Sequence, residues 1–315
     1  MLTPGAGLAL SACATSAGQP IARRGPTQPP QGLAIPSNSV QISANTADAE
    51  TGFVVRLARY PTIGVAWVWA HFFEPGQVWS YSDDALSTER TPSPLEQPDI
   101  TYRQTDGATL EYRRAGPRPA PTRVDFSGLF AAHRSARTEH GRGTTPVRLQ
   151  TSLLPFTARP GVLPDRTEAK GMVDAAMEIG GRRIPFRGYG HFHEQPQEQA
   201  RFNAPFAQMR GSGEGLALTF QMSAAAPSRG HLTIDGKPDA ITSFQISPPA
   251  RVRRYRAGFA SGRTMEGEVT APHTFYLRIY DGWRTSQMIR GVIDGRPFVG
   301  GVNDWSPEQL AYLPA

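Results

Sequence analysis

Apolar and polar residues alternate with a period of two along most of the chain. Residues 53–58 place Phe53, Val55 and Leu57 on one side of an extended segment, and 65–73 alternate in the same way. This period predicts β-strands that bury one face. Similar segments follow at short intervals, at 78–81, 100–102, 109–112, 123–130, 147–156, 172–179, 184–186, 216–222, 231–234, 241–246, 255–259, 265–269, 275–280, 286–293 and 298–302. Many short strands predict an all-β barrel or sandwich.

Turn residues separate these strands. Asp106-Gly107, Gly180-Gly181 and Asp294-Gly295 are strong hairpin signals. Residues 173–178 have a composition that also suits a short helix, but the Gly-Gly turn that follows favours a strand. One helical turn is predicted, at 307–312.

The chain has 315 residues, which is about two domains. A break rich in Pro and Gly at 161–166 predicts an N-terminal domain over 35–160 and a C-terminal domain over 165–315. Residues 53–60 are similar to 275–280, which is a faint sign of duplication. Residues 1–34 are predicted to be a disordered tether that carries a lipoprotein signal, since the segment is polar and rich in proline.

Composition and charge indicate the class of protein and the kinds of molecule it could bind. Apolar residues make up 39% of the chain and charged residues 19%, with 32 Gly and 29 Pro, as in a globular protein with many turns. The net charge of +6 comes mainly from arginines that are scattered rather than clustered. Because no nucleic-acid-binding motif is present, we expect no nucleic-acid partner.

A single cysteine, Cys13, follows Leu10-Ser11-Ala12 and a short apolar run. This pattern resembles the bacterial lipobox, whose cysteine is lipidated. We therefore expect an exported protein held by its lipid at the periplasmic or outer envelope membrane. The alternative is a disordered N-terminus with a chance cysteine. No later stretch has the roughly 20 apolar residues that a spanning helix needs.

The motif at 188–194, Gly-Tyr-Gly-His-Phe-His-Glu, follows a Gly-Gly hairpin. In this layout it resembles the carotenoid 1,2-hydratase (hydroxyneurosporene synthase) superfamily, which includes kievitone hydratase-like proteins and fungal Diels-Alderases. The resemblance covers about residues 35–305. It implies two lipocalin-like domains, a buried cavity for a lipophilic polyene or terpenoid, and hydration, isomerisation or cyclisation. The family usually continues with Gln-Trp-Gly, where this chain has Gln195-Pro196-Gln197.

His191 and His193 are two residues apart, so a strand places both imidazoles on one face. Three interpretations remain open. The pair could bind zinc with a third ligand from His231, His273 or Glu194, although Glu194 points to the opposite face of a regular strand. It could perform acid–base catalysis, or it could be hydrogen-bonded and inert.

Two carboxylates are further candidates for catalysis. Glu194 and Asp304 could each donate a proton if an apolar cavity raised the pKa of the carboxyl group. Asp304 could instead bond to backbone at the end of the last strand.

Aromatic side chains are candidates for binding a ligand. Trp67, Trp69 and His71 share one strand face, which could stack on a polyene or stabilise a carbocation, or could be ordinary core. Trp283 is a further aromatic candidate, and the hydroxyls of Tyr189 and Tyr280 could orient a ligand.

Two functional hypotheses follow. The first is a hydratase, isomerase or cyclase that needs no cofactor and acts on a hydrophobic unsaturated small molecule, terpenoid or polyene-like. The second is a non-catalytic lipoprotein that carries a lipophile. No Gly-x-Ser-x-Gly elbow, phosphate loop or dinucleotide fingerprint is present, so hydrolase and nucleotide chemistry are disfavoured. No bound metal is predicted.

Overall fold

The computed structural model describes residues 36–87, 103–104, 108–114, 122–133, 137–138, 143–160, 166–197, 205–279 and 282–306. This part contains nineteen β-strands, one 3₁₀ helix (Pro61–Ile63) and no α-helix. The strands are β1 (Ser37–Asn45), β2 (Gly52–Tyr60), β3 (Val65–Glu74), β4 (Gln77–Ser87), β5 (Arg103–Gln104), β6 (Thr109–Arg114), β7 (Thr122–His133), β8 (Arg137–Thr138), β9 (Thr145–Pro160), β10 (Thr167–Ile179), β11 (Arg182–Gln197), β12 (Phe206–Gly213), β13 (Leu216–Ser223), β14 (Ala226–Ile234), β15 (Lys237–Ile246), β16 (Val252–Phe259), β17 (Thr264–Ile279), β18 (Gly282–Ile293) and β19 (Arg296–Ser306).

The strands form two closed barrels, which confirms the predicted all-β fold. The first sheet has ten strands in the order β4-β3-β2-β1-β11-β10-β9-β7-β6-β5, and the pairing of β4 with β7 closes the first eight into a ring. The second sheet has nine strands in the order β16-β15-β14-β13-β12-β19-β18-β17-β8, and the pairing of β16 with β17 closes the first eight into a ring. Closing each ring pairs backbone N–H and C=O groups that would otherwise be exposed on edge strands.

Alternation decides which side chains fill the first barrel. Phe53 contacts Phe72 and Phe186, with ring centroids 6.1 and 5.4 Å apart. The interior set is aliphatic and aromatic, and its larger members are Val40, Ile42, Phe53, Val55, Leu57, Val68, Phe72, Tyr81, Leu110, Tyr112, Val124, Phe126, Phe130, Val147, Leu149, Leu153, Val173, Met177, Ile179, Phe186 and Phe192. Packing of this kind is the main source of stability.

The second barrel is filled in the same way. Its core includes Met209, Leu216, Leu218, Phe220, Leu232, Ile241, Phe244, Tyr255, Phe259, Val269, Ile289, Ile293, Phe298 and Val302. Apolar side chains thus occupy the interior of both barrels.

The domain boundary differs from the predicted one. β10 and β11 follow the predicted break at 161–166, yet they pair with β9 and β1 and complete the first barrel. The second barrel begins at β12, so the change of barrel falls within 198–205. The predicted boundary is wrong because the sequence pattern of a strand does not show which sheet the strand joins. Only its pairing partners decide that.

Local predictions at two turns are confirmed. Gly180 and Gly181 have φ values of 58° and 82°, a left-handed pair that suits the tight hairpin between β10 and β11. Asp294 and Gly295 form the second such turn, with φ values of 51° and 74°. Residues 173–178 form strand, as the turn indicated. The helical turn predicted at 307–312 and the tether at 1–34 lie outside the described residues.

The two barrels contact each other through outward-facing side chains. β8, which lies between β7 and β9 of the first half, pairs in parallel with β17 of the second barrel. Ala58, Tyr60, Trp67 and Trp69 pack against Leu277 of β17. No helix in the described part is long and apolar enough to cross a membrane.

We expect the substitution Phe53→Ala to lower the free energy of unfolding by about 3–5 kcal/mol, because it leaves a cavity in the first barrel. Phe53 is 0% exposed. The matched control is Phe156→Ala on β9, whose side chain is 45% exposed, and which should change the value by less than about 1 kcal/mol. Urea denaturation measures both, and equal losses would contradict the assigned core.

Candidate functional site

The candidate site lies in the seam between the barrels, where the outer face of the first barrel is polar. One cross-strand row runs over five strands of this face through successive register pairs: Trp69 on β3, Arg56 on β2, Gln41 on β1, His193 on β11 and Glu168 on β10. Except for Arg56, these side chains are buried, because the second barrel covers them.

Glu168 is the carboxylate at the centre of this seam. It pairs with Arg166 at 2.7 Å and with Lys170 at 3.3 Å. Thr219 of β13 donates to it at 2.8 Å and accepts from Lys170 at 2.6 Å, which joins the second barrel to the first. Burial opposes ionisation of Glu168, but the charges of Arg166 and Lys170 hold its pKa well below the usual range.

His191 bridges Glu168 and Arg210 of β12. Its Nδ1 lies 3.1 Å from Nη1 of Arg210, and its Nε2 lies 3.5 Å from Glu168. Because a guanidinium can only donate, Nδ1 must accept, so the proton of the neutral ring lies on Nε2 and faces Glu168. Burial and the charge of Arg210 lower the pKa of His191 well below its ordinary value.

His193 is held in the same way at one nitrogen. Its Nδ1 accepts from Nη2 of Arg166 at 3.3 Å. Burial, then the charges of Arg166 and Arg56, lowers its pKa well below the ordinary value. The neutral ring therefore carries its proton on Nε2, and this buried atom has no hydrogen-bond partner among the described residues.

Other buried polar atoms near His193 share this property. Both amide atoms of Gln41, which lies directly opposite His193 across β1 and β11, lack a partner in the described structure. The same holds for Nε1 of Trp69 and Nε of Arg210. Buried polar groups are nearly always hydrogen-bonded to protein, water or ligand, so this cluster of atoms is where water or a polar group of a ligand would bind.

The aromatic stripe lies against this polar row. Trp67 and Trp69 contact each other with centroids 4.4 Å apart, and the guanidinium of Arg56 lies 4.9 Å from the Trp69 ring. His71 stacks on Phe275 of β17 at 4.2 Å. The shared face predicted for Trp67, Trp69 and His71 is therefore present, but it packs between the barrels rather than inside one.

The structure does not bring the two candidate acids to the histidines. Glu194 falls on the alternate face of β11, shared with Phe192 of the first core. Asp304 forms a two-pronged ion pair with Arg253, at 2.6 and 2.9 Å. Burial raises the pKa of Asp304, and Arg253 partly offsets this. The sequence alone missed Glu168, although 166–170 alternates Arg, Glu and Lys at strand spacing.

Four further candidates remain, and the structure describes two of them. Tyr189 lies on β11 and is half-buried in the seam. Trp283 belongs to β18, where its backbone pairs with Ser306 of β19. Tyr280 and Cys13 lie outside the described residues.

A zinc site has no support from the described part of the chain. It holds no group of three or more His, Cys, Asp or Glu side chains placed to bind a metal ion. His273, one proposed third ligand, has its Nε2 2.8 Å from the carbonyl oxygen of Glu50.

Two spaces open along the seam. A buried cavity of about 20 Å³ is lined by residues of both barrels, including His191, Arg210 and Phe275. A more open cleft of about 740 Å³ lies between β9–β11 and the β12–β13 turn, with Phe156 and Leu216 among its lining residues. Tyr189 lines both spaces, so the cleft and the cavity adjoin at this residue.

Two closed eight-stranded barrels joined by a buried polar seam define the architecture as a two-domain lipocalin-like one. The protein assigned as AttH from Nitrosomonas europaea is similar at 12% identity, over 87% of this chain and 93% of that one, with a TM-score of 0.56. CghA, crystallised with Sch210972, is similar at 11% identity over 86% and 88%, with a TM-score of 0.50. Kievitone hydratase from Nectria haematococca has 9% identity over 85% and 88%, with a TM-score of 0.47.

The TM-scores of 0.56 and 0.50 show that the chain shares its fold with the first two proteins, and they confirm the architecture that the motif at 188–194 implied. No protein-family model matches the chain. No curated protein matches it in sequence either.

Because His191 and His193 are neutral in the folded protein, we predict that the free energy of unfolding depends on pH. In the unfolded chain both imidazoles protonate near pH 6.5, whereas in the folded protein the lowered pKa values keep them neutral. The unfolded state then binds more protons as pH falls from 7 to 5. The free energy of unfolding should decrease over that range, by up to about 1.4 kcal/mol per pH unit for each histidine.

Urea denaturation at several pH values measures this dependence. The double substitution His191→Gln/His193→Gln should make it shallower, because glutamine does not titrate. Equal slopes for the wild type and the double variant would contradict the neutral, buried state of the pair.

Proposed function

We propose that this protein is an enzyme that needs no cofactor and hydrates, isomerises or cyclises a hydrophobic, unsaturated small molecule held in the seam between its barrels. The observation that carries this proposal is the set of buried donors without partners in the described structure: the Nε2–H of His193, the amide of Gln41 and the indole N–H of Trp69.

These donors suit one kind of chemistry. Each can hydrogen-bond to a carbonyl oxygen of a ligand, and a low-dielectric seam strengthens such bonds. Negative charge that develops on the oxygen during addition to a conjugated double bond would then be stabilised, as in an oxyanion hole. Electron withdrawal by the same bonds activates the double bond toward water or toward ring closure. His193 would act as a neutral donor, which its lowered pKa favours.

Glu168 and His191 complete the proposed machinery. Arg210 fixes the tautomer of His191, and Glu168 lies 3.5 Å from its Nε2. A ligand that displaced one of these bonds would meet a neutral imidazole able to take up or release a proton. Trp67 and Trp69 would provide an aromatic wall for a flat unsaturated body.

The structural comparison is consistent with this proposal. CghA, which shares the two-barrel fold, was crystallised with the compound Sch210972. The terpenoid or polyene character of the ligand rests on the sequence resemblance and is part of the proposal.

The test begins with native mass spectrometry of protein purified from its own host, with identification of the bound compound. That compound is then incubated with wild type and with His193→Gln, which moves or removes the Nε2–H donor. We expect turnover to fall by about 10²–10³-fold, as for loss of one oxyanion-hole donor, while the Kd changes by less than about 10-fold. His231→Gln is the matched control and should retain activity.

The outcomes separate the two functional hypotheses. A compound that is bound but never converted by the wild type would indicate the alternative, a non-catalytic lipophile carrier. Equal turnover by wild type and His193→Gln would remove the assigned role of the donor. Failure to find or to bind any lipophile would contradict both hypotheses.

We also propose that Cys13 is lipidated and anchors the protein at the bacterial envelope. The lipobox-like sequence Leu10-Ser11-Ala12-Cys13 supports this. Expression in a bacterial host with radiolabelled palmitate should label the wild type and not Cys13→Ser. If the wild type and Cys13→Ser are both unlabelled and both soluble, the proposed anchor is contradicted.

A further inference from the structure

Positive charge exceeds negative charge in the seam. Among the described residues that the two barrels bury there, Arg166, Lys170, Arg210 and Arg284 are cationic and Glu168 is the carboxylate that faces them. Glu168 is already paired with Arg166 and Lys170. A buried charge without a counter-charge is unfavourable, so the surplus indicates that an anion binds there.

Arg210 and Arg284 carry this surplus. Neither has a carboxylate within 4.0 Å among the described residues. Arg284 donates to Asn303 at 2.7 Å and to Ser286 at 3.0 Å. Arg210 donates to His191, and its buried Nε has no partner in the described structure. Burial and the charge of Arg166 lower the pKa of Arg210 to about 9, so Arg210 stays charged at neutral pH.

The same two arginines line the buried cavity of about 20 Å³. This volume accommodates one water-sized group, such as a carboxylate oxygen. The remaining wall includes apolar side chains, among them Val54, Phe275 and Met288. The cavity therefore offers strong donors at one side and a dry surface at the other.

The larger cleft adjoins the cavity at Tyr189. Its volume of about 740 Å³ falls in the range of small-molecule sites. Phe156, Met172 and Leu216 give it apolar lining. An amphipathic ligand could place its hydrocarbon body in the cleft and pass its head group beside Tyr189 into the cavity.

We propose that the ligand of this seam is an organic acid, whose carboxylate binds to Arg210 and Arg284 in the buried cavity while its unsaturated apolar body occupies the cleft beyond Tyr189. This inference rests on the proposed function, since it names the chemical class of that function's substrate. Arginine suits the role because its planar guanidinium matches a carboxylate in two-pronged geometry.

The experiment uses a fluorescent polyene fatty acid, cis-parinaric acid, and its neutral methyl ester as probes of the full-length wild type. Fluorescence titration gives both Kd values. We expect the acid to bind at least about 10-fold more tightly than the ester, since a charge-assisted contact in a dry site has that effect. This comparison needs no variant and is therefore independent of any folding defect.

Substitution then locates the contact. Arg210→Gln and Arg284→Gln should each weaken binding of the acid by about 10-fold or more and leave the ester within about 2-fold. The matched control is Arg290→Gln, on the same strand as Arg284 but exposed, where Arg290 donates to the carbonyl of Asp48. It should not change either Kd.

The outcomes distinguish this proposal from the one it rests on. Equal affinity for acid and ester would overturn the anion site, while binding of the ester would still support a lipophile site. A preference for the acid that survives both substitutions would overturn the assignment to these arginines. Binding of neither probe would count against both proposals.

Discussion

The seam depends on one buried carboxylate. Glu168 compensates Arg166 and Lys170 within the first barrel and accepts from Thr219 of the second. Without Glu168 these cations would be buried with no counter-charge. The free-energy cost of that is larger than the stabilisation that an exposed ion pair provides. Glu168 also lies 3.5 Å from Nε2 of His191, whose tautomer Arg210 fixes, and it holds Arg166, which donates to His193. Docking of the barrels and orientation of the imidazoles therefore share one electrostatic origin.

The barrels themselves provide the scaffold. Aromatic and aliphatic side chains fill both interiors, so the polar groups that could act on a ligand lie on outer faces that become buried only when the barrels meet. This arrangement differs from a lipocalin-like barrel that encloses its ligand. It also explains how the aromatic stripe at Trp67 and Trp69 is fully buried without belonging to either barrel core.

Local periodicity predicted the strands, the hairpins at Gly180-Gly181 and Asp294-Gly295, the shared face of His191 and His193, and the opposite face of Glu194. It could not predict the change of barrel at 198–205, because pairing partners of β10 and β11 are non-local. It also missed Glu168, Arg210 and Thr219. These residues are far from one another in sequence, and only the docking of two sheets makes them neighbours. Asp304, one of the two candidate acids, forms its ion pair with Arg253, which is 51 residues away in sequence.

Alternation along β11 has an evolutionary consequence. Phe192 and Gly190 face the first core, where a methyl group added at Gly190 would lie 2.4 Å from Val173, whereas His191 and His193 face the seam. Neighbouring positions thus meet different physical constraints: every second side chain must fit the barrel core, and the intervening side chains must suit the seam. A lineage could change its chemistry through such substitutions while its barrels remained superimposable. Low identity with a retained fold is the pattern that this division would produce.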